Sequence, residues 1–292
     1  MMIWVLLAAV VALGVGVGVM ARRLDSARRR LRDLQAGHRH LERAHLFHLR
    51  AMRQREIERE LKARGVTPAL PVEFRAGQGE DLMLWDLLGG QESGAFIEVG
   101  AYDGLSYSVS YLFEAAGWKG VLIEALPDKF ELCKKNRPES RCVQAALSRK
   151  GSKGTATFTA LDDGEIAAAA SFLVNSDAHA RRMKRQIEQA RTVTVPLSTM
   201  DDVLADAFPV IDVAVIDVEG GELDLLDGFD LAKRKVRVLL IEELSGGADG
   251  RLKQEMERRG YRLVMRFGRN DLYVRGDEPG LVARGEQLAS LV

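Results

Sequence analysis

Cysteine and histidine are scarce in this 292-residue chain. The two cysteines, Cys133 and Cys142, are too few for a disulfide framework and stand at no metal-ligand spacing, a usage that fits a reducing compartment. Four of the five histidines (His38, His40, His45, His48) fall in one N-terminal arm, leaving His179 alone beyond it. No carboxylate or cysteine accompanies the four at ligand spacing, so they read as one face of a solvated helix. The first 21 residues carry no charged side chain, and residues 22–64 contain no proline and one glycine, Gly37. The fingerprint G-x-G-x-x-G is missing, which argues against a nicotinamide-dependent oxidoreductase.

The charges that are present are unevenly divided. Residues 21–64 hold 14 basic and 6 acidic residues, a net +8 that the rest of this formally neutral chain offsets with −8. An uncharged run of about 20 residues suffices to span a bilayer as a helix. A cleaved signal peptide would carry basic residues before the apolar run. Here Arg22, Arg23, Arg28, Arg29, Arg30 and Arg32 follow it instead, which keeps that side in the cytoplasm. The expectation is a transmembrane signal anchor over 1–21 and a basic helical stalk over 22–66. Leu24, Ala27, Leu31, Leu34 and Leu41 give the stalk a short coiled-coil seam through which copies of the chain can pair. A linker over 67–73, marked by Pro68 and Pro71, precedes a globular domain over 74–292. The expected location is the inner membrane, crossed once, with the domain cytoplasmic and without a nucleic-acid partner.

Within the domain, apolar runs alternate with helical patterns, the mark of an α/β fold. Phe96–Val99, Gly120–Glu124, Ile211–Ile216 and Val236–Ile241 read as buried strands. Further strands are expected over 141–147, 155–159 and 192–197, and a hairpin over 261–275. Leu161 to Ala190 interrupts this rhythm with a basic helix that reads as a lid or substrate element. The first strand leads into a glycine turn, Glu98-Val-Gly-Ala-Tyr-Asp-Gly104, and then a helical pattern over Leu105 to Ala116. Such a turn can bring backbone N–H groups and a helix N-terminus to a ligand. Glu98 and Asp103 repel a pyrophosphate but suit a ligand with an ammonium group and hydroxyls, such as S-adenosylmethionine.

Four strands end at acidic residues: Glu98 with Asp103, Glu124, Asp217 with Glu219, and Glu242. In an open parallel sheet, ligands sit beyond the carboxyl ends of the strands, so these side chains are expected to converge. Glu124, at the end of the second strand, stands where a carboxylate accepts from a ribose diol. Asp217 and Glu219 make two oxygen donors; a third is not visible from spacing, and no metal site is assigned.

The blocks Glu98–Gly104, Gly120–Glu124, Val195–Val203, Ile216–Glu222, Leu239–Glu242 and Asn270–Val274 resemble the FkbM family of S-adenosylmethionine-dependent methyltransferases, over about residues 74–276. The resemblance implies a Rossmann-like class I methyltransferase fold, with a mostly parallel seven-stranded sheet and one antiparallel strand. It implies O-methylation of a small-molecule or glycan acceptor: a sugar, glycolipid or secondary-metabolite hydroxyl. By position, Glu98, Gly100, Ala101, Tyr102, Asp103, Gly104, Glu124, Ala125 and Asp217 would bind the cofactor. Asp217, Glu219 and Glu222 would line the catalytic side, with His179 from the interruption as a further proton acceptor. Ile216 and Gly221 differ from the residues many members carry there, which leaves acceptor choice open. The rival to catalysis is a membrane-tethered domain that only binds a partner.

Overall fold

The computed structural model describes residues 2–160, 172–173 and 191–291; within the first helix most side chains before Ala44 are not described. His179 and the basic helix expected around it lie outside the described residues. The chain forms two compact units, Met1–Arg53 and Gln54–Val292. The first unit belongs to a single helix, α1 (Met2–Ala63), whose last turns enter the second unit. Ile57 and Leu61 are fully buried in that unit's core. Leu24, Leu31, Leu34 and Leu41, the expected seam, are exposed. Among the described residues no helix is long and apolar enough to cross a membrane. The anchor expectation rests on 1–21, almost all of whose side chains fall outside them.

The second unit is built on a seven-stranded sheet of β1 (Ala95–Val99), β2 (Lys119–Glu124), β3 (Arg141–Gln144), β8 (Ile211–Ile216), β9 (Val236–Glu242), β10 (Tyr261–Phe267) and β11 (Asn270–Arg275). Its order is β3-β2-β1-β8-β9-β11-β10. All pairings are parallel except those of β11, which runs antiparallel to both β9 and β10. This is the expected architecture. The central strands are continuous apolar runs because both faces are covered. Phe96, Val213, Val215, Val238 and Leu240 enter one core with Ile57 and Leu61 of α1, α2 (Glu80–Leu87), α3 (Tyr111–Ala115) and α8 (Pro279–Ala289). Ile97, Val99, Ala214, Ile216, Leu239 and Ile241 enter the other, under α5 (Met200–Val203), α6 (Glu222–Asp227) and α7 (Arg251–Arg258). Alternate residues of each strand thus feed opposite layers.

Three expectations are corrected. The helix expected over 105–116 is reduced to α3, preceded by a long loop. Carboxylates compete for that loop's backbone: Asp103 accepts from the N–H groups of Leu105 and Ser106, and Glu98 from that of Val109. The strand expected over 141–147 breaks after Gln144. Its remainder, β4 (Ala146–Leu147), joins a second, four-stranded sheet with β5 (Gly154–Ala160), β6 (Phe172–Leu173) and β7 (Arg191–Ser198), in the order β4-β7-β5-β6. The strand expected over 155–159 therefore extends this second sheet, pairing antiparallel with β7 from Gly154↔Leu197 to Ala160↔Arg191. A further helix, α4 (Pro127–Asn136), follows β2 with Pro127 in its first turn, where a missing N–H costs nothing.

Candidate functional site

β1 is joined through α3 to β2 on one side and pairs with β8 on the other, so the topology switches direction between β1 and β8. Beyond the carboxyl ends of β1, β2 and β8 lies a cavity of about 150 Å³. That is an order of magnitude more than the roughly 10–15 Å³ one water needs. Glu98, Gly100, Ala101, Tyr102, Glu124, Ala125, Asp217 and Glu219 line it, as do Tyr107, Leu126, Ala145 and, from the second sheet, Phe158. Asp103, Gly104 and Glu222 do not.

The glycine turn serves the protein's own packing. Gly100 has φ +77, and a Cβ there would stand 1.9 Å from the Asp217 carbonyl oxygen. β8 stays paired with β1 to its last residue, Ile216, and just beyond it Asp217 N–H donates to the Val99 carbonyl at 3.1 Å. Gly104, at φ +76, lies under α4, with a Cβ 2.8 Å from Arg137 Cγ. The N–H groups of Gly100 and Ala101 both donate to the Ile123 carbonyl, at 2.9 and 3.2 Å. The backbone amides expected to meet a ligand are therefore consumed internally.

Glu98 and Asp103 act on the loop that follows. Buried Glu98 accepts from the hydroxyls of Ser108 and Ser110 at 2.7 and 2.6 Å, besides Val109 N–H at 2.8 Å. Arg137, wholly buried, stands 3.7 Å from Glu98 and 2.7 Å from Glu114. It also donates to Ser108 Oγ, Ser110 Oγ and the Gly104 carbonyl. This network fixes the cavity wall from behind. Asp103 is taken up by Leu105 N–H, Ser106 N–H and Ser106 Oγ.

Glu124 is different. It is 8% exposed and lines the cavity. One oxygen accepts from Tyr102 N–H at 2.9 Å and the other from Leu126 N–H at 2.8 Å. Each carboxylate oxygen has a second acceptor site, so the group is positioned and still has capacity for a pair of hydroxyl donors. Burial pushes its pKa up to about 7, against which the N–H bonds from Leu126 and Tyr102 act.

The opposite wall is acidic. Carboxylate oxygens of Asp217, Glu219 and Glu242 all lie within 4.8 Å of one another. Asp217 is open to solvent through the cavity, yet enough protein surrounds it that burial raises its carboxyl, with Glu98 and Glu80 adding to this and Glu242 and Arg269 opposing it. Burial raises Glu242 as well, reinforced by Asp217 and Glu219. Glu219 sits at φ +53, a left-handed backbone that is uncommon for a side-chain-bearing residue. Glu222 lies behind this wall, its Oε1 accepting from the N–H groups of Val218 and Gly220 at 3.3 and 3.0 Å. It holds the turn that carries Glu219. A second cavity, of about 330 Å³, opens beside Gly220, Glu222, Glu242 and Leu252.

Glu242 is one of the strand-end carboxylates expected to converge, and it meets Asp217 and Glu219 here, although the sequence assigns it no role. One participant is not identified from the sequence. Arg269, at the tip of the β10–β11 hairpin, reaches Glu242 at 2.7 Å and Glu219 at 4.0 Å. Its only sequence signal is a lone base between two strand-forming runs.

The chain matches the family model described as the methyltransferase FkbM domain over residues 98–263, more than half of its length. No curated protein matches it. Among solved structures it is similar to the METTL16 methyltransferase domain, with 14% identity and a TM-score of 0.39 over 67% of this chain and 66% of that one. It is also similar to the C-terminal domain of precorrin-6Y C5,15-methyltransferase from Rhodobacter capsulatus, with 14% identity and a TM-score of 0.36 over 68% and 88%. A TehB-like methyltransferase from Corynebacterium glutamicum shares 13% identity, with a TM-score of 0.37 over 80% and 98%. The match of sequence blocks across β1 to β10 places this chain in the FkbM methyltransferase family, whose methyl donor is S-adenosylmethionine.

Proposed function

We propose that the chain is a membrane-anchored O-methyltransferase acting on a hydroxyl of a sugar, glycolipid or secondary metabolite, with its domain on the cytoplasmic side. The observation that carries the catalytic part is Glu124: a buried carboxylate anchored by two backbone N–H groups on the wall of a cavity at the switch point. Its spare acceptor sites fit the two hydroxyls of a ribose. Ala101, Leu126, Ala145 and Phe158 offer apolar walls suited to a planar base. The facing carboxylates suit a cationic centre, whereas they would repel a pyrophosphate.

S-adenosylmethionine, when bound, supplies an electrophilic methyl group on a sulfonium. The residues do the rest. Gly100–Tyr102 would line the nucleoside side and Glu124 would hold it, with Asp217 and Glu219 facing the acceptor. A hydroxyl that lies beside them can pass its proton to either carboxylate. Glu222 positions Glu219 through the turn, and His179 remains a candidate acid–base group. Most of the rate would come from holding two reactants in line. The uncharged segment over 1–21 and the arginines after it support the anchor; the leucine spacing of the stalk supports pairing of copies.

The test is to incubate the full chain with methyl-labelled S-adenosylmethionine and membrane, glycolipid and metabolite extracts, and to identify the labelled product. A methyl ether is the expected outcome. Label on nitrogen or carbon would replace the O-methyl reading, and no acceptor in any extract would favour a binding domain.

A further inference from the structure

The acidic wall between the two cavities crowds three carboxylates together. Asp217 and Glu219 line the first cavity, Glu242 and Glu222 the second, so the trio of Asp217, Glu219 and Glu242 stands at the boundary. Glu242 is 6% exposed, and its Oε2 has no hydrogen-bond partner among the described residues. A buried carboxylate oxygen left unpaired costs stability unless something else meets it. Arg269 stands 2.7 Å from the other oxygen of Glu242. Its Nε and that same Nη2 nonetheless lack a properly aimed hydrogen bond. When all three are ionised, the trio and Arg269, the one guanidinium against it among the described residues, sum to a formal −2.

We infer that Asp217, Glu219 and Glu242 form a binding site for one divalent, oxygen-preferring cation at the junction of the two cavities. Carboxylate oxygens are the ligands such ions choose. Two oxygens on one ion at 2.3–2.6 Å can be no farther apart than about 4.6–5.2 Å, and the trio keeps within 4.8 Å. A smaller ion at about 2.0–2.1 Å would need the three to close up by some tenths of an ångström. The ion cancels the residual charge and gives the orphaned Glu242 oxygen a partner. Three protein oxygens leave further coordination positions for water or an acceptor oxygen, since such ions take about six to eight ligands. The site stands on its own geometry, whereas its use in orienting an acceptor hydroxyl rests on the methyl-transfer reading above.

The experiment is a titration of the full chain, freed of metals by a chelator, with Mn²⁺ alone, the free ion being read by electron paramagnetic resonance. One saturable ion per chain, displaced by Ca²⁺ or Mg²⁺, is expected. Glu242→Gln and Asp217→Asn should each weaken binding at least about tenfold, the lower end of what even outer-sphere changes cost, with circular dichroism verifying the fold. Glu257→Gln, on the exposed face of α7, should leave it unchanged. Absence of a saturable ion in the unmodified chain, or an unaltered affinity in folded Glu242→Gln, overturns the site. S-adenosylmethionine titrated into the same metal-free protein separates the two readings. Cofactor binding without Mn²⁺ uptake removes the ion alone; Mn²⁺ uptake without cofactor binding removes the methyltransferase assignment of the cavity and keeps the ion.

Discussion

Changing the pH tests the role of Glu124 without altering a residue. In the free protein burial holds this carboxyl at about 7 instead of its ordinary 4.5. If two ribose hydroxyls donate to it, they favour the ionised form, and its pKa falls on binding. The ionised form is then the one that binds. Above pH 7 the group is already charged and affinity is level. Below pH 7 a proton must leave first, and affinity declines about tenfold per unit. Between pH 8 and pH 6 the free ionised fraction drops about tenfold, so the dissociation constant should rise about tenfold, or about 1.4 kcal/mol. Calorimetry in buffers of different ionisation enthalpy should register close to one proton released at pH 6 and almost none at pH 8. The ligand's own amino group titrates too, so the same series on Glu124→Gln supplies the baseline. That variant should bind more weakly at pH 8 and lack the Glu124 component of the slope. Identical slopes in the two proteins would refute the argument, and an unweakened Glu124→Gln would remove this residue from the site.

The remaining predictions concern the acidic wall, the loop and the boundary of the folded unit. Asp217→Asn should lower turnover about 10²–10⁴-fold, the scale of general acid–base work, while cofactor affinity measured by calorimetry falls far less, because Glu124 and its anchoring N–H groups remain. Arg137→Leu should cost about 3–5 kcal/mol in urea unfolding of the 54–292 fragment, since it strands Glu114 and Glu98 in a buried setting. A fragment beginning at Pro68 should be less stable than one beginning at Gln54, because it discards Ile57 and Leu61, both fully buried and each contributing about 1.5–3 kcal/mol. Equal thermal midpoints for the two fragments would contradict that packing.

What the sequence revealed depended on how local the determinants were. β1, β2, β8 and β9 were legible because burial on both faces makes a strand a continuous apolar run bounded by acid or glycine. The alternation of strands and helices pointed to an α/β fold, and the family resemblance implied the seven-stranded sheet with its single reversed strand. The second sheet was not legible, because the seven-residue pairing of β5 with β7, from Gly154↔Leu197 to Ala160↔Arg191, joins segments separated by the interruption in the α/β rhythm. α3 was overestimated because propensity cannot show that Glu98 and Asp103 claim the preceding backbone. Convergence of Glu124 and Asp217 on one cavity followed from topology, and the structure places both there. The internal uses of Gly100, Gly104 and Asp103 did not follow, since each depends on what packs against the turn. Arg269 was invisible for the same reason: the hairpin must close before its side chain reaches β9.

The central claim is that S-adenosylmethionine occupies the cavity at the carboxyl ends of β1, β2 and β8. Ultraviolet cross-linking of radiolabelled S-adenosylmethionine to the full chain, followed by peptide mapping, tests it directly and needs no knowledge of the acceptor. The account predicts label within 98–107, 123–126 or 215–221, competed by unlabelled S-adenosylhomocysteine and reduced in Glu124→Ala. Competable label confined to the polar cleft around Lys150, Asp201 and Tyr261, with 98–126 and 215–221 unlabelled, would contradict it.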